Sequence, residues 1–182
     1  MVRRRGGCWG GRLVCERGDD GITLCTVTLD AQGGEGGTAS VIATWGETMP
    51  SPVVKPTKAG YTFQGYFDQT AGGVQWYDAR GVSTNVSTFA SAATLYAQWQ
   101  ANTYKYVLDG GSFTGEQAIV FGQLPADLPR IPVAEGKEFL GYFDEMGHMI
   151  YNAKGEYVGG VVAAETLDAN ASVELRLMLD EK

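Results

Sequence analysis

"AGYTFQGYFD", residues 59–68, has a near copy in "EGKEFLGYFD", residues 135–144. Phe63, Gly65, Tyr66, Phe67 and Asp68 match Phe139, Gly141, Tyr142, Phe143 and Asp144. A structural unit is often duplicated within a chain, a catalytic loop seldom. The match extends outward from this stretch. Upstream, Trp45-Gly46 matches Phe121-Gly122, Pro56 matches Pro132, and Leu29-Asp30 matches Leu108-Asp109. Downstream, "YDARG" (77–81) matches "YNAKG" (151–155), and "ATLYAQW" (93–99) lies against "ASVELRL" (171–177). Landmarks in one order mark two copies of one unit. The expected organisation is a flexible, disordered leader over 1–24, a repeat domain over 25–100 and a divergent copy over 101–180.

Each copy reads as mainly β. Cys25, Val27 and Leu29 alternate with Thr26, Thr28 and Asp30, and Tyr104, Tyr106 and Leu108 take the same face in the second copy. Such period-two alternation marks a half-buried strand. A second strand places Ala43 and Trp45 on one face, matched by Ile119 and Phe121. Prolines 50, 52 and 56, and 125, 129 and 132, then predict a loop or sheet edge, because proline has no amide donor. The quoted stretch is a third strand. Simple alternation puts Phe63, Gly65 and Phe67 on one face and Tyr66 and Asp68 on the other. Gly65 and Gly141 predict a bulge or the close approach of a neighbouring aromatic. "YDARG" and "YNAKG" carry the Asp/Asn and Gly of a tight hairpin. The last strand alternates Leu95, Ala97 and Trp99, or Val173, Leu175 and Leu177. "STFASAA" (87–93) and "VVAAETLDA" (161–169) predict a turn or two of helix at most.

The series "VTLDAQGG", "VIATWGETMPSPVVKPTKAGYTFQGYFD", "WYDARG" and "ATLYAQW" resembles the Listeria–Bacteroides repeat family, the B-repeats of internalin-type bacterial surface proteins. The second copy keeps Asp109-Gly110-Gly111, Phe121-Gly122, Phe139, Gly141-Tyr142 and "YNAKG". It departs at Lys137, where the first copy has Tyr61, and at "VELRLML", where the first has "TLYAQW". The resemblance implies two tandem β-grasp-like domains, each a mixed sheet with at most a short helix, so that the fold class is mainly β and α+β at most. It also implies export, a non-enzymatic role, and a place in a larger multi-repeat protein of which this chain is a monomeric fragment.

Composition narrows the function classes. The net charge is −7, and the body is more acidic than that, at about −9, because Arg3, Arg4, Arg5, Arg12 and Arg17 outweigh Glu16, Asp19 and Asp20 in the leader. An acidic body repels phosphate backbones, so nucleic acid is not an expected partner. No run approaches the roughly 18 apolar residues of a membrane-spanning helix, and membrane insertion is not expected. "GGCWGGRLVCERGDD" lacks the apolar core of a signal peptide. Cys8, Cys15 and Cys25 lie at the front of the chain, without zinc-site spacing and far from His148. Their pairing is open, Cys8–Cys15 being one arrangement.

Candidate chemistry is sparse. His148, the single histidine, sits beside a turn glycine and reads as an exposed loop residue. Asp68 and Asp144 recur, as do Asp30 and Asp109, but each pair is split between copies, whereas a glycosidase needs two carboxyls about one sugar. Asp30 and Glu35 alone are a poor calcium loop. Asn85 and Asn170 fit the glycosylation triplet. Tyr66, Tyr142, Trp76 and Tyr77 read as core, or else as an exposed strip for stacking sugars. No residue is assigned a catalytic, cofactor-binding or metal-binding role, and no cofactor is expected. The leading expectation is a stalk or spacer of a cell-surface or secreted protein, extracellular, binding host or matrix protein or a surface glycan. The alternatives are a carbohydrate-binding module of a secreted enzyme and, more remotely, a small hydrolase with clustered carboxylates.

Overall fold

A computed structural model of the chain describes residues 15–110, 115–133, 135–159 and 170–181. The chain divides into two compact units. One extends to Thr57 and resumes over Phe63–Trp99; the other takes Lys58–Thr62 and the chain from Gln100 onward.

The first sheet holds β1 (Cys15–Arg17), β2 (Thr23–Asp30), β3 (Ser40–Thr44), β4 (Tyr61–Phe67), β5 (Gln75–Tyr77) and β6 (Ala93–Ala101). Its order is β3-β2-β6-β4-β5, with β1 also paired to β2. The second holds β7 (Thr103–Asp109), β8 (Gly115–Val120), β9 (Lys137–Phe143), β10 (Met149–Asn152) and β11 (Ser172–Glu181). Its order is β8-β7-β11-β9-β10. Leaving β1 aside, the two orders are the same. In both, an opening hairpin precedes a closing strand that runs parallel to the first: β6 beside β2, and β11 beside β7. These are the mixed, β-grasp-like sheets expected from the repeat. The described residues contain no helix. "STFASAA" is loop leading into β6, and "VVAAETLDA" lies outside the described residues.

The alternation in β2 does what its pattern predicts. Cys25, Val27 and Leu29 are buried, and the threonines between them are half-buried on the other face. Val27 and Leu29 join Ala43, Met49, Val53, Phe63, Tyr66, Trp76, Tyr77, Leu95 and Ala97 in one core. The second core gathers Tyr104, Tyr106, Leu108, Ile119, Phe139, Tyr142, Ile150, Tyr151 and Leu175. The same ring pair anchors both. Phe63 meets Tyr66 edge-on at 5.2 Å, and Phe139 meets Tyr142 edge-on at 5.6 Å. Aromatic rings bring a large apolar area to units of about 75 residues, which are marginal by size.

Simple alternation fails in β4 and β9. Phe63 and Tyr66 both enter the core, and Phe67 is only half-buried. The cause is Gly65, whose φ of 133° resets the phase of the strand, with a register shift in the β4–β5 pairing at Tyr66/Phe67. Gly141 does the same at φ 147°. The expected bulge is present, but the close neighbour is not an aromatic ring. A Cβ on Gly65 would run into the carbonyl oxygen of Tyr77, and one on Gly141 into that of Tyr151.

One further expectation needs correction. The last ten residues of the leader are not disordered: Cys15–Arg17 is a strand, with Cys15 opposite Cys25 in register. The disulfide joins Cys15 to Cys25, and Cys8 lies outside the described residues. Because β3 covers one edge of β2 over Leu24–Thr28 and β6 joins the other only from Val27, β1 fills the edge that β6 leaves bare. The bond closes a loop of ten residues, a length that corresponds to about 2–3 kcal/mol in chain entropy. Reductant should therefore lower the unfolding midpoint of the first unit, followed by the fluorescence of Trp76 and Trp99, and leave the second unit unchanged. Trp45, which strand parity puts on one face with Ala43, stands past the end of β3 with half of its surface exposed.

Candidate functional site

Of the recurring aspartates, Asp30, Asp68 and Asp144 are each tied into a turn. Asp68 Oδ1 accepts from Val74 N at 2.8 Å, and Asp30 Oδ1 from Gln32 N at 2.8 Å. In "YDARG", Asp78 Oδ1 accepts from Arg80 N at 2.8 Å and Val82 N at 2.9 Å, while Gly81 takes φ 81°. The donor from Val82 leads the effects that hold the Asp78 carboxyl below its usual range, with the Arg80 amide and guanidinium adding to it. In "YNAKG", Asn152 Oδ1 plays the same part toward Lys154 N and Glu156 N. The Asp/Asn residues thus serve the turn chemistry that their spacing predicts.

His148 belongs to such a turn. Asp144 Oδ1 accepts from His148 N at 2.8 Å, and Oδ2 lies 2.9 Å from His148 Nδ1. The Asp144 carboxyl is held low, first by the backbone donor of His148 and then by its ring. The imidazole is mostly exposed. An imidazole oriented by a carboxylate is two parts of a nucleophilic triad, but a third member would have to lie within hydrogen-bond reach of the ring. The bonds found for this turn are internal to it. Among the described residues, no group of three or more His, Cys, Asp or Glu could hold a metal ion. An open groove on the second unit brings Glu145, Glu174 and Arg176 together beside Gly110. It offers charge without a nucleophile.

The proposed aromatic strip does not exist as a surface. Tyr66, Tyr77 and Tyr142 are fully buried and Trp76 is 8% exposed. The sugar-stacking reading of these four residues is thereby overturned: their rings are in the cores. Tyr77 and its counterpart Tyr151 also reach across to the proline crossover, donating to Pro50 O at 2.9 Å and Ala126 O at 3.3 Å. The Tyr66 hydroxyl is buried without a hydrogen-bond partner among the described residues. Removing a made bond costs about 1 kcal/mol, whereas removing an unsatisfied buried hydroxyl is neutral or favourable. Tyr77→Phe should therefore destabilise the first unit by about 1 kcal/mol, and Tyr66→Phe should not, as read by denaturant unfolding. The glycosylation triplet at Asn85 is equally occupied: its Nδ2 donates to Gln75 O at 2.6 Å, and Ser87 is fully buried.

The surface that remains unexplained is apolar. Ile22, Leu24, Ile42 and Trp45 are large, exposed side chains within or next to the β2–β3 hairpin. Strand parity puts Trp45 on one face with Ala43 and says nothing of the exposure of a residue past the end of the strand.

Comparison with known proteins fits the aromatic landmarks and the strand order together. Residues 26–98 match the Listeria-Bacteroides repeat domain. Those residues are a member of that family. The second unit repeats the strand order and the core ring pair of the Listeria-Bacteroides repeat, and is a second, divergent copy. Internalin H of Listeria monocytogenes is 32% identical over 119 residues, 65% of this chain and 20% of that protein. A protein of Evansella cellulosilytica is 30% identical over 129 residues, 70% of this chain and 18% of that protein. The chain thus spans about a fifth of the length of these relatives. No solved structure matches.

Proposed function

We propose that this chain is a non-enzymatic tandem module of an exported bacterial protein, acting as a spacer at the cell surface and as a protein-binding unit. One observation carries the reading. The residues that recur between copies build two separate cores and their turns. The relationship to internalin H supports a surface location, and the small share of each relative that is matched supports a role as one module among several. A cross-strand disulfide suits an oxidising compartment outside the cytoplasm. The acidic charge of −7 favours basic protein partners over nucleic acid. Host or matrix proteins are the expected partners, with a surface glycan as the other outcome of a binding screen.

Antibodies raised against the chain should label intact cells of the source bacterium. Labelling only after lysis would remove the surface reading. In parallel, the chain would be titrated on immobilised matrix proteins and glycans. Saturable binding to a matrix protein supports the binding role, and no binding to either leaves the spacer role alone.

A further inference from the structure

Trp45 and Phe121 occupy the same place in their two sheets. Trp45 N donates to Thr23 O at 2.9 Å, and Phe121 N donates to Asn102 O at 2.9 Å. Each is followed by a glycine with positive φ, Gly46 at 83° and Gly122 at 74°. Their surroundings differ. Phe121 is partly buried against the second core, whereas Trp45 is 50% exposed.

The difference comes from Lys58–Thr62, five residues of the first sequence copy that form part of the second unit. Tyr61 meets Phe121 edge-on, with centroids 5.2 Å apart and planes at 85°. Gly60 lies so close that a Cβ there would stand 2.5 Å from Cδ1 and Cε1 of the Phe121 ring. Asn102 N donates to Gly60 O at 2.9 Å, and Thr62 Oγ1 donates to Asn102 Oδ1 at 2.7 Å. A glycine, an aromatic ring and two hydrogen bonds therefore clasp one aromatic side chain. Among the described residues no bond from Thr23 N to a loop carbonyl corresponds to the one from Asn102 N to Gly60 O.

We propose that Trp45 is the docking point for the corresponding turn of another copy of this repeat. The occupant is a glycine–tyrosine turn of the Lys58–Thr62 kind, with Gly60 over the indole and the tyrosine ring against its edge. The same logic marks the second copy's own turn as a poor donor. Gly136 has φ 72°, close to the 75° of Gly60, and open space where its Cβ would be, but Lys137 stands where Tyr61 supplies a ring. A row of copies would thus be joined wherever the tyrosine is present and closed where it is replaced. The inference concerns how copies join and holds whether or not the module binds a host molecule.

The test is a chain in which residues 23–101 are duplicated, so that residues 1–101 run directly into 23–182. The second Trp45 then follows a glycine–tyrosine turn as Phe121 does. Trp45→Ala at that second position should lower the melting midpoint by about 3–5 °C, while Trp45→Ala in the natural chain should leave it nearly unchanged. Equal shifts in the two chains, or failure of the duplicated chain to fold, would overturn the proposal. A second measurement uses the natural length. In a Trp9→Phe, Trp45→Phe, Phe121→Trp chain, the introduced indole should be shielded from acrylamide, so that the readily quenched fraction of the Trp9→Phe chain disappears. Quenching as strong as before, or loss of the folded state, also overturns it.

Discussion

Replacing Gly65 with alanine should unfold the first unit and leave the second folded. At φ 133° an L side chain is strained, and the new Cβ would meet the carbonyl oxygen of Tyr77. That carbonyl belongs to β5, the partner of β4, so it can retreat only by breaking the pairing that closes this side of the sheet. Backbone strain of this kind costs about 1–3 kcal/mol, and an unrelieved clash adds to it. The sum is comparable to the whole stability of a small domain, about 5 kcal/mol. Gly141→Ala should do the reverse, through the carbonyl of Tyr151. The two cores have no residue in common. Fluorescence of Trp76 and Trp99 reports the first unit, and loss of that signal with part of the β circular dichroism retained is the expected result for Gly65→Ala. Retention of the native emission in the variant would show that the bulge tolerates a side chain and that the phase reset has another cause.

Alkali should unfold the protein before its buried tyrosines ionise. Burial pushes Tyr66 and Tyr77 up to about 12 from an ordinary 10.0, with the charge of Asp30 adding to the effect at Tyr66. Tyr106 and Tyr151 are raised as well, again chiefly by burial, with Tyr157 contributing next. A folded-state value above the unfolded one means that the native state holds its proton longer. Stability is therefore intact below pH 10 and falls as pH rises toward 12, by about 1.4 kcal/mol per pH unit for each such tyrosine. Two of them in the first core lose about 3 kcal/mol per unit together. A cooperative rise in tyrosinate absorbance should coincide with loss of β circular dichroism. A single smooth titration of all nine tyrosines near pH 10 with the fold intact would show that these hydroxyls are not buried.

The sequence made the duplication legible because each copy needs its own rings. Phe63, Tyr66 and Tyr77, with their counterparts, have to recur if two small cores are to be filled. Strand alternation at Cys25, Val27 and Leu29 was equally readable, since β2 is regular. Three features were not. The phase of Tyr66 depends on a backbone angle at Gly65, and a bulge signal does not say which side chain moves to the other face. The Cys15–Cys25 bond depends on the register of β1 against β2, and ten residues of spacing permit several registers. The exposure of Trp45 depends on what stands against it, which in the second copy is supplied by Lys58–Thr62. For chemistry, the sequence was informative in a plainer way: Asp68, Asp78 and Asp144 have the spacing of turn formers, and each bonds to the backbone of its own turn.

The parallel pairing of first and last strands has a mechanical consequence. In the first unit Val27, Thr28, Leu29 and Asp30 face Ala93, Thr94, Leu95 and Tyr96; in the second, five pairs run from Lys105 and Ser172 to Asp109 and Arg176. A pull on the two ends of a unit is carried along these strands in opposite directions. The pairs are then loaded in shear, and all have to yield together. An antiparallel closure would instead open from one end, a pair at a time. A bacterium held against flow by a protein built of such units would be tethered by links whose unfolding rate, not their equilibrium stability, sets how long they last.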